Sequence, residues 1–410
     1  MPDNRLARRL SLPDAVVIGL GAMIGAGVFA AFAPAAAAAG GWLLVALALA
    51  ALVAYCNAAS SARLAARYPL SGGTYVYGRE RLGPFWGYLA GWSFVVGKTA
   101  SCAAMALTFA AYAVPGFERP AAVLAVLAVT ALNWHGVQRS VTATRVIVAV
   151  VLAVLVAVVV AGLVGAAGTP GPAGGVFGSG PFPAPGVLQA AGLLFFAFAG
   201  YARIATLGEE VTDPARTIPR AVGTALGVTL VVYTAIAVTL LLVLGPERTA
   251  AAAAPLAEVV TVAGASWLAP VIRAGAALAA AGALLALVLG VSRTAFAMAR
   301  DRHLPAALDA VHPRHGVPHH ADLAVGLVVA VLVALVDLRG AIGFSSFGVL
   351  LYYAVANASA WTLGRRRLVP AVGLVGCLVL AVALPLSSVL TGAAVVAAGA
   401  LLYLVRRTRR

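Results

Sequence analysis

Apolar residues run along this chain in long blocks, separated by short polar breaks rich in arginine, glycine and proline. Most blocks are about 17–25 residues, the length at which an α-helix crosses the hydrocarbon core of a bilayer. Twelve can be drawn, with approximate limits 14–37, 42–65, 84–113, 121–137, 142–166, 187–207, 220–245, 267–298, 321–338, 341–363, 368–385 and 388–405. Spans four and nine are among the shortest. The pattern predicts an all-α polytopic membrane protein with 12 transmembrane helices.

The polar breaks set its orientation. With the N-terminus inside, the even-numbered connections carry Arg63, Arg67, Arg79, Arg81, Arg139, Arg145, Arg216, Arg220, Arg300, Arg302, Arg314 and Arg365 to Arg367. The tails add Arg5, Arg8, Arg9, Arg406, Arg407, Arg409 and Arg410, whereas the odd-numbered loops keep only Arg119, Arg248 and Arg339. This asymmetry predicts that both termini are cytoplasmic. A full span follows the N-terminal arginines with no small-residue cleavage site, so no cleaved signal peptide is expected.

Composition agrees: 62% of the 410 residues are hydrophobic and only 10% charged. The net charge of +15 is spread over short loops on one side, which removes nucleic acid as a partner and leaves the lipid bilayer. Lys98 is the only lysine among 28 basic residues, a bias that suggests a GC-rich bacterial genome and a bacterial inner membrane. Cys56, Cys102 and Cys377 all fall within apolar blocks and imply no disulfide framework.

Two blocks are interrupted. Span one contains Gly19-Leu20-Gly21-Ala22-Met23-Ile24-Gly25-Ala26-Gly27-Val28-Phe29. Each glycine inside a helix costs about 1 kcal/mol relative to alanine. Either these glycines let another helix pack closely, or the helix is broken to bind something. Span six contains Phe195-Phe196-Ala197-Phe198-Ala199-Gly200-Tyr201, with Gly200 mid-span. The Pro/Gly-rich stretch Gly168 to Gly186 divides the first five spans from the next five. Breaks at matching places in two halves point to a binding site near the membrane midplane.

With three further motifs the chain resembles the amino acid–polyamine–organocation permeases. They are Pro69-Leu70-Ser71-Gly72-Gly73-Thr74-Tyr75; Phe198-Ala199-Gly200-Tyr201 through Glu209-Glu210-Val211 to Ile218-Pro219-Arg220-Ala221; and Ser292-Arg293 with Ala299-Arg300-Asp301-Arg302-His303-Leu304-Pro305. The resemblance implies a LeuT-type 5+5 inverted repeat with broken helices 1 and 6. Residues 1–166 would form the first repeat and 187–363 the second, with 368–410 adding two spans and a basic tail. It also implies alternating access, with an amino acid or related amine as cargo.

A broken helix suits a zwitterion, because bare N–H groups favour a carboxylate and bare carbonyls an ammonium. By resemblance, Gly25, Ala26 and Gly27 would hold the carboxylate, beside Ile24. The carbonyls of Met23 and of Phe196 or Ala199, next to Gly200, would hold the ammonium. Phe196 matches an aromatic that covers the cargo in related permeases. Ala22, Ala26 and Ala199 make a small apolar pocket that favours neutral cargo unless Lys98 points inward.

Lys98 lies near the middle of span three, where a lysine costs about 2.5–3.5 kcal/mol on insertion scales. Three readings stand: a proton carrier, a contact to an anionic part of the cargo, or a brace to backbone carbonyls. Proton-coupled relatives carry a lysine in span five, where this chain has Val151. Sodium-coupled members of the wider fold use hydroxyls on span eight, where it has Ala279-Ala280-Ala281-Gly282-Ala283-Leu284-Leu285. Protons are thus the expected coupling partner; uncoupled exchange or export, polyamine or acidic cargo, and a non-transporting sensor stay open. Glu209, Glu210 and Arg220 are expected at an inner gate. The spacing of His303, His312, His315, His319 and His320 is not a clean metal pattern. No metal site, no cofactor and no enzymatic activity are expected.

Overall fold

The computed structural model describes residues 10–68, 72–136, 141–167, 182–205, 210–313, 315–364 and 366–408. Span one is built from α1 (Leu12–Met23), α2 (Gly27–Ala30) and α3 (Phe32–Ala39), followed by α4 (Leu43–Arg67), α5 (Thr74–Leu82), α6 (Pro84–Ala113), α7 (Glu118–Trp134) and α8 (Val141–Ala167). The second half holds α9 (Ala184–Phe198), a 3-10 turn over Ala199–Tyr201, α10 (Ala202–Ala205), α11 (Pro214–Val243), α12 (Gly245–Ala251), α13 (Pro255–Val262), α14 (Ala269–Arg300), α15 (His319–Leu335) and α16 (Leu338–Trp361). Two last helices, α17 (Leu368–Ala383) and α18 (Leu386–Thr408), complete the chain. Nine helical stretches among the described residues are long and apolar enough to cross a membrane, and α15 and α17 are shorter apolar helices. The protein is therefore an all-helical, multi-pass membrane protein. Its outward faces carry residues such as Leu124, Val164, Val231 and Leu327, as lipid contact requires.

Prolines place several boundaries. Pro84, Pro214 and Pro255 each stand in a first helical turn, where a missing N–H costs nothing. The helix of span seven starts at Pro214, six residues before the expected 220, and carries Pro219 inside it. Helices α12 and α13, in the connection before span eight, have no counterpart in the expected pattern. Pro34 sits in the first turn of α3, which explains why the helix restarts after a bend at Ala31.

Two packing groups surround the centre. Helix α6 lies against α14 and α16, while α1, α4, α9 and α11 pack on one another. At the α6–α16 contact the backbones touch: a Cβ on Gly348 would stand 2.9 Å from the Cα of Gly97. One turn away the Ser101 and Ser345 hydroxyls share a hydrogen bond of 2.6 Å.

At the arginine-rich end, Asp14 accepts from Ser11 at the start of α1 and pairs with Arg145 of α8. The Tyr75 hydroxyl donates to Asp301 at 2.5 Å, and Arg79 lies 3.6 Å from the same carboxylate. Burial and the Asp301 carboxylate push the Tyr75 phenol above its ordinary range. Leu10 forms an isolated parallel bridge with Val211: its N–H donates to the Glu210 carbonyl, and the Thr212 N–H donates to the Leu10 carbonyl, both at 3.0 Å.

Candidate functional site

The glycine-rich stretch of span one serves two purposes. Gly19 and Gly21 are packing residues: a Cβ on Gly19 would lie 2.3 Å from Ile204, and one on Gly21 would lie 3.1 Å from Thr144. The break comes later. Helix α1 stops at Met23, with the Ile24 N–H still donating to Leu20, and α2 starts at Gly27. Among the described residues the N–H groups of Gly25, Ala26 and Gly27 donate to no backbone carbonyl.

The matching break in span six is tighter. Helix α9 ends at Phe198, where the Ala199 N–H donates to the carbonyls of Phe195 and Phe196, and one 3-10 turn follows. Tightening from i−4 to i−3 bonding tilts the last carbonyls out of the helical ladder.

Two glycines let these breaks touch. A Cβ on Gly27 would lie 2.7 Å from the Cα of Ala197, and one on Gly200 would lie 2.3 Å from the carbonyl oxygen of Ala22. Backbone thus meets backbone at two points, one on each side of the crossing. The third wall is α14, whose Ala283 methyl would stand 3.0 Å from a Cβ on Gly25. Met23, Ile24, Ala26, Phe196 and Ala199 are all buried, so the crossing is closed in this conformation.

The carbonyls at the crossing already have donors. Lys98 is 8% exposed, and its Nζ donates to the Ala199 carbonyl at 3.3 Å. The Tyr233 hydroxyl on α11 approaches two carbonyls at once, Met23 at 2.6 Å and Ala197 at 3.1 Å. Tyr233 is fully buried, with Phe32 and Phe198 meeting its ring edge-on. The structure therefore brings Met23, Ile24, Gly25, Ala26, Gly27, Lys98, Phe196, Ala199 and Gly200 into one region. It adds Tyr233, which the sequence reading omits. The available signal was a lone tyrosine within the aliphatic run of span seven, whose hydroxyl must find a partner once buried.

The expected gate residues are less concentrated. Glu209 lies outside the described residues, as do Pro69, Leu70 and Ser71 of the second motif. Glu210 contributes its backbone carbonyl to the Leu10 bridge. Arg220 is exposed on α11 and makes no ion pair among the described residues.

Comparison with known proteins identifies the family. The profile of a family described as amino acid permease matches residues 10–405. An uncharacterized transporter of Mycobacterium tuberculosis is 66% identical, over all of this chain and 94% of its own length. A branched-chain amino acid permease of Bacillus subtilis is 27% identical over 89% of this chain and 83% of its own. A vacuolar cationic amino acid transporter of Arabidopsis thaliana is 30% identical over 85% of this chain and 62% of its own.

Proposed function

The chain belongs to the amino acid permease family, and from that premise we propose that it is a secondary transporter of neutral amino acids. It works by alternating access around the crossing of the two helix breaks. The observation that carries this reading is the pairing of bare amides at Gly25 to Gly27 with the Ala199 carbonyl held by Lys98. A zwitterion needs both complements, because either charge buried alone costs several kcal/mol. The cargo carboxylate sits on the amides of Gly25, Ala26 and Gly27. Its ammonium replaces the Lys98 Nζ at Ala199 and shares the Met23 carbonyl with Tyr233. Phe196 closes over the site.

The architecture that goes with this reading has twelve spans in a LeuT-type plan, inside a bacterial cell membrane with both ends cytoplasmic. Its support is that the breaks fall in the first helix of each half, and that the arginines gather at one end. The group formed by α1, α4, α9 and α11 tilts against α6, α14 and α16. Opening toward the arginine-rich end breaks the bridge between Leu10 and residues 210–212, with Glu210 and Arg220 around the exit.

Lys98 links cargo to protons. While its ammonium holds the Ala199 carbonyl, the incoming amino group must displace it, and a proton lost from Lys98 frees that carbonyl. While protonated, Lys98 also disfavours cargo with a cationic side chain. A proton carried inward adds about 2.3 kcal/mol per 100 mV to uptake. Exchange without coupling is the second reading, favoured by the lack of any hydroxyl or ionisable side chain over Ala279 to Leu285 of α14, the stretch that meets the break.

The test is reconstitution in proteoliposomes with a panel of neutral, acidic and cationic amino acids. Uptake of neutral amino acids driven by an inwardly directed proton gradient supports the proposal. Flux that ignores both gradient and voltage and requires internal amino acid establishes exchange. Binding without flux establishes a sensor.

A further inference from the structure

We propose that the groove between α4 and α17, with the arginines at one end of it, is a binding site for one anionic phospholipid. The groove has a volume of about 400 Å3 and is lined by aliphatic side chains and a glycine. Leu52 and Val53 come from α4, Leu188 from α9, and Val375, Gly376 and Val379 from α17. Gly376 gives the groove its depth, because a Cβ there would stand 2.7 Å from Val53. Leu52 is 50% exposed and Val375 60%, so both rims face the bilayer. An acyl chain fills such a groove through dispersion contacts, and its tail reaches α9, the helix that ends at the second break.

Both rims run to arginines. On α4 the outward positions recur at helical spacing, Leu52, Tyr55, Ala59 and Arg63, whereas Cys56, Asn57 and Ala58 between them are buried. On α17 the matching stripe is Val379, Val375, Val372 and Leu368, next to Arg367. The two stripes converge, since the Arg63 Nη1 donates to the Arg366 carbonyl at 3.3 Å. Helix α17 has 16 residues. Its rise of about 24 Å falls short of the roughly 30 Å of hydrocarbon that a full span crosses. A span this short draws lipid headgroups inward, toward the arginines that flank it.

Charge selects the headgroup. Arg67, Arg366 and Arg367 are exposed and make no ion pair among the described residues. Arg81 of α5 donates to the Thr362 hydroxyl at 2.8 Å and to its carbonyl at 2.6 Å, so the turn before α17 is held by Arg81 and Arg63 together. Glu80, the acid beside Arg81, lies 3.5 Å from Arg79. Arg366 itself adopts φ +56°, a left-handed conformation that side chains avoid and that folds keep where a ligand is held. Guanidiniums without carboxylates, at the end of an aliphatic groove, complement a phosphodiester that carries an acyl chain. A zwitterionic headgroup fits less well, because it brings its own ammonium against the same arginines.

The experiment is native mass spectrometry of the full chain, stripped of lipid in detergent and titrated with phosphatidylglycerol or with phosphatidylcholine of the same acyl chains. The expected result is saturable retention of one phosphatidylglycerol per chain, at least about tenfold tighter than phosphatidylcholine. Arg366→Gln with Arg367→Gln abolishes that preference. Arg216→Gln with Arg300→Gln, which removes the same charge elsewhere at the arginine-rich end, preserves it. Val375→Trp, at an exposed position, fills the groove so that neither lipid is retained, while thermal unfolding of the lipid-free protein is unaltered. Equal retention of the two lipids by the wild type overturns the proposal. So does an equal loss in the two arginine pairs, which means diffuse surface charge. A dimer that Val375→Trp splits, with no lipid retained, gives the groove to a second copy of the chain and overturns it too. None of these readouts depends on whether the protein transports amino acids.

Discussion

The Nζ of Lys98 on α6 lies 3.3 Å from the carbonyl oxygen of Ala199 and donates to it, so a side chain from one packing group grips the helix break of the other. No ion pair of Lys98 is found among the described residues. A buried cation held by a carbonyl rather than a carboxylate is a weak contributor to stability and a strong candidate for function.

Lys98→Met separates those two roles. Replacing a buried ion by an apolar side chain of similar size is often neutral or stabilising, so thermal unfolding in detergent stays level or rises. Proton-driven uptake falls at least about tenfold, the equivalent of one hydrogen bond to a charged group at about 1.5–3 kcal/mol. A variant that melts earlier and transports normally makes Lys98 a structural brace.

Tyr233→Phe removes the one hydroxyl shared by the Met23 and Ala197 carbonyls. Leaving buried acceptors short of a donor costs about 1–3 kcal/mol. The melting temperature drops and the half-saturating amino acid concentration in uptake rises. Unchanged values for both mean the hydroxyl is incidental.

Gly200→Ala and Gly27→Ala push the two breaks apart, because each new Cβ would stand within 2.7 Å of backbone in the other break. Both variants lose ligand binding, measured by thermal-shift response to amino acids, even where they still reach the membrane. Gly227→Ala on α11 is the control: nothing lies within 4 Å of its Cβ, and the position is exposed. It is stabilised by up to about 1 kcal/mol, the ordinary glycine-to-alanine gain in a helix.

Leu10→Pro deletes the N–H that donates to the Glu210 carbonyl. Losing one such bond, worth about 1 kcal/mol, shifts the closed-to-open balance at that end about fivefold. Hydrogen exchange then quickens over residues 10–15 and 210–217 and nowhere else. Uniform protection across both segments means the bridge is not part of a gate.

Span three illustrates what periodicity decides. It was expected at 84–113 and is helical over Pro84–Ala113, because a glycine–proline start and a long, predominantly apolar run leave no other structure for a chain in lipid. Helices α12 and α13 escaped because they are short, and their prolines read equally well as loop punctuation. Glycine spacing was ambiguous for a physical reason. Gly21 and Gly27 look alike along the chain, yet one meets the side chain of Thr144 and the other the backbone of Ala197.

Local composition by itself determined a helical, membrane-crossing chain with disrupted first and sixth spans, because hydrophobic length and helix-breaking glycines act within a single segment. The tertiary structure decided which carbonyl Lys98 would hold, that Tyr233 would bridge the crossing, and that Arg63 of α4 would hold the distant turn before α17. Each depends on where separate helices meet, and the free energy of such a meeting comes from packing between segments, which no single segment encodes.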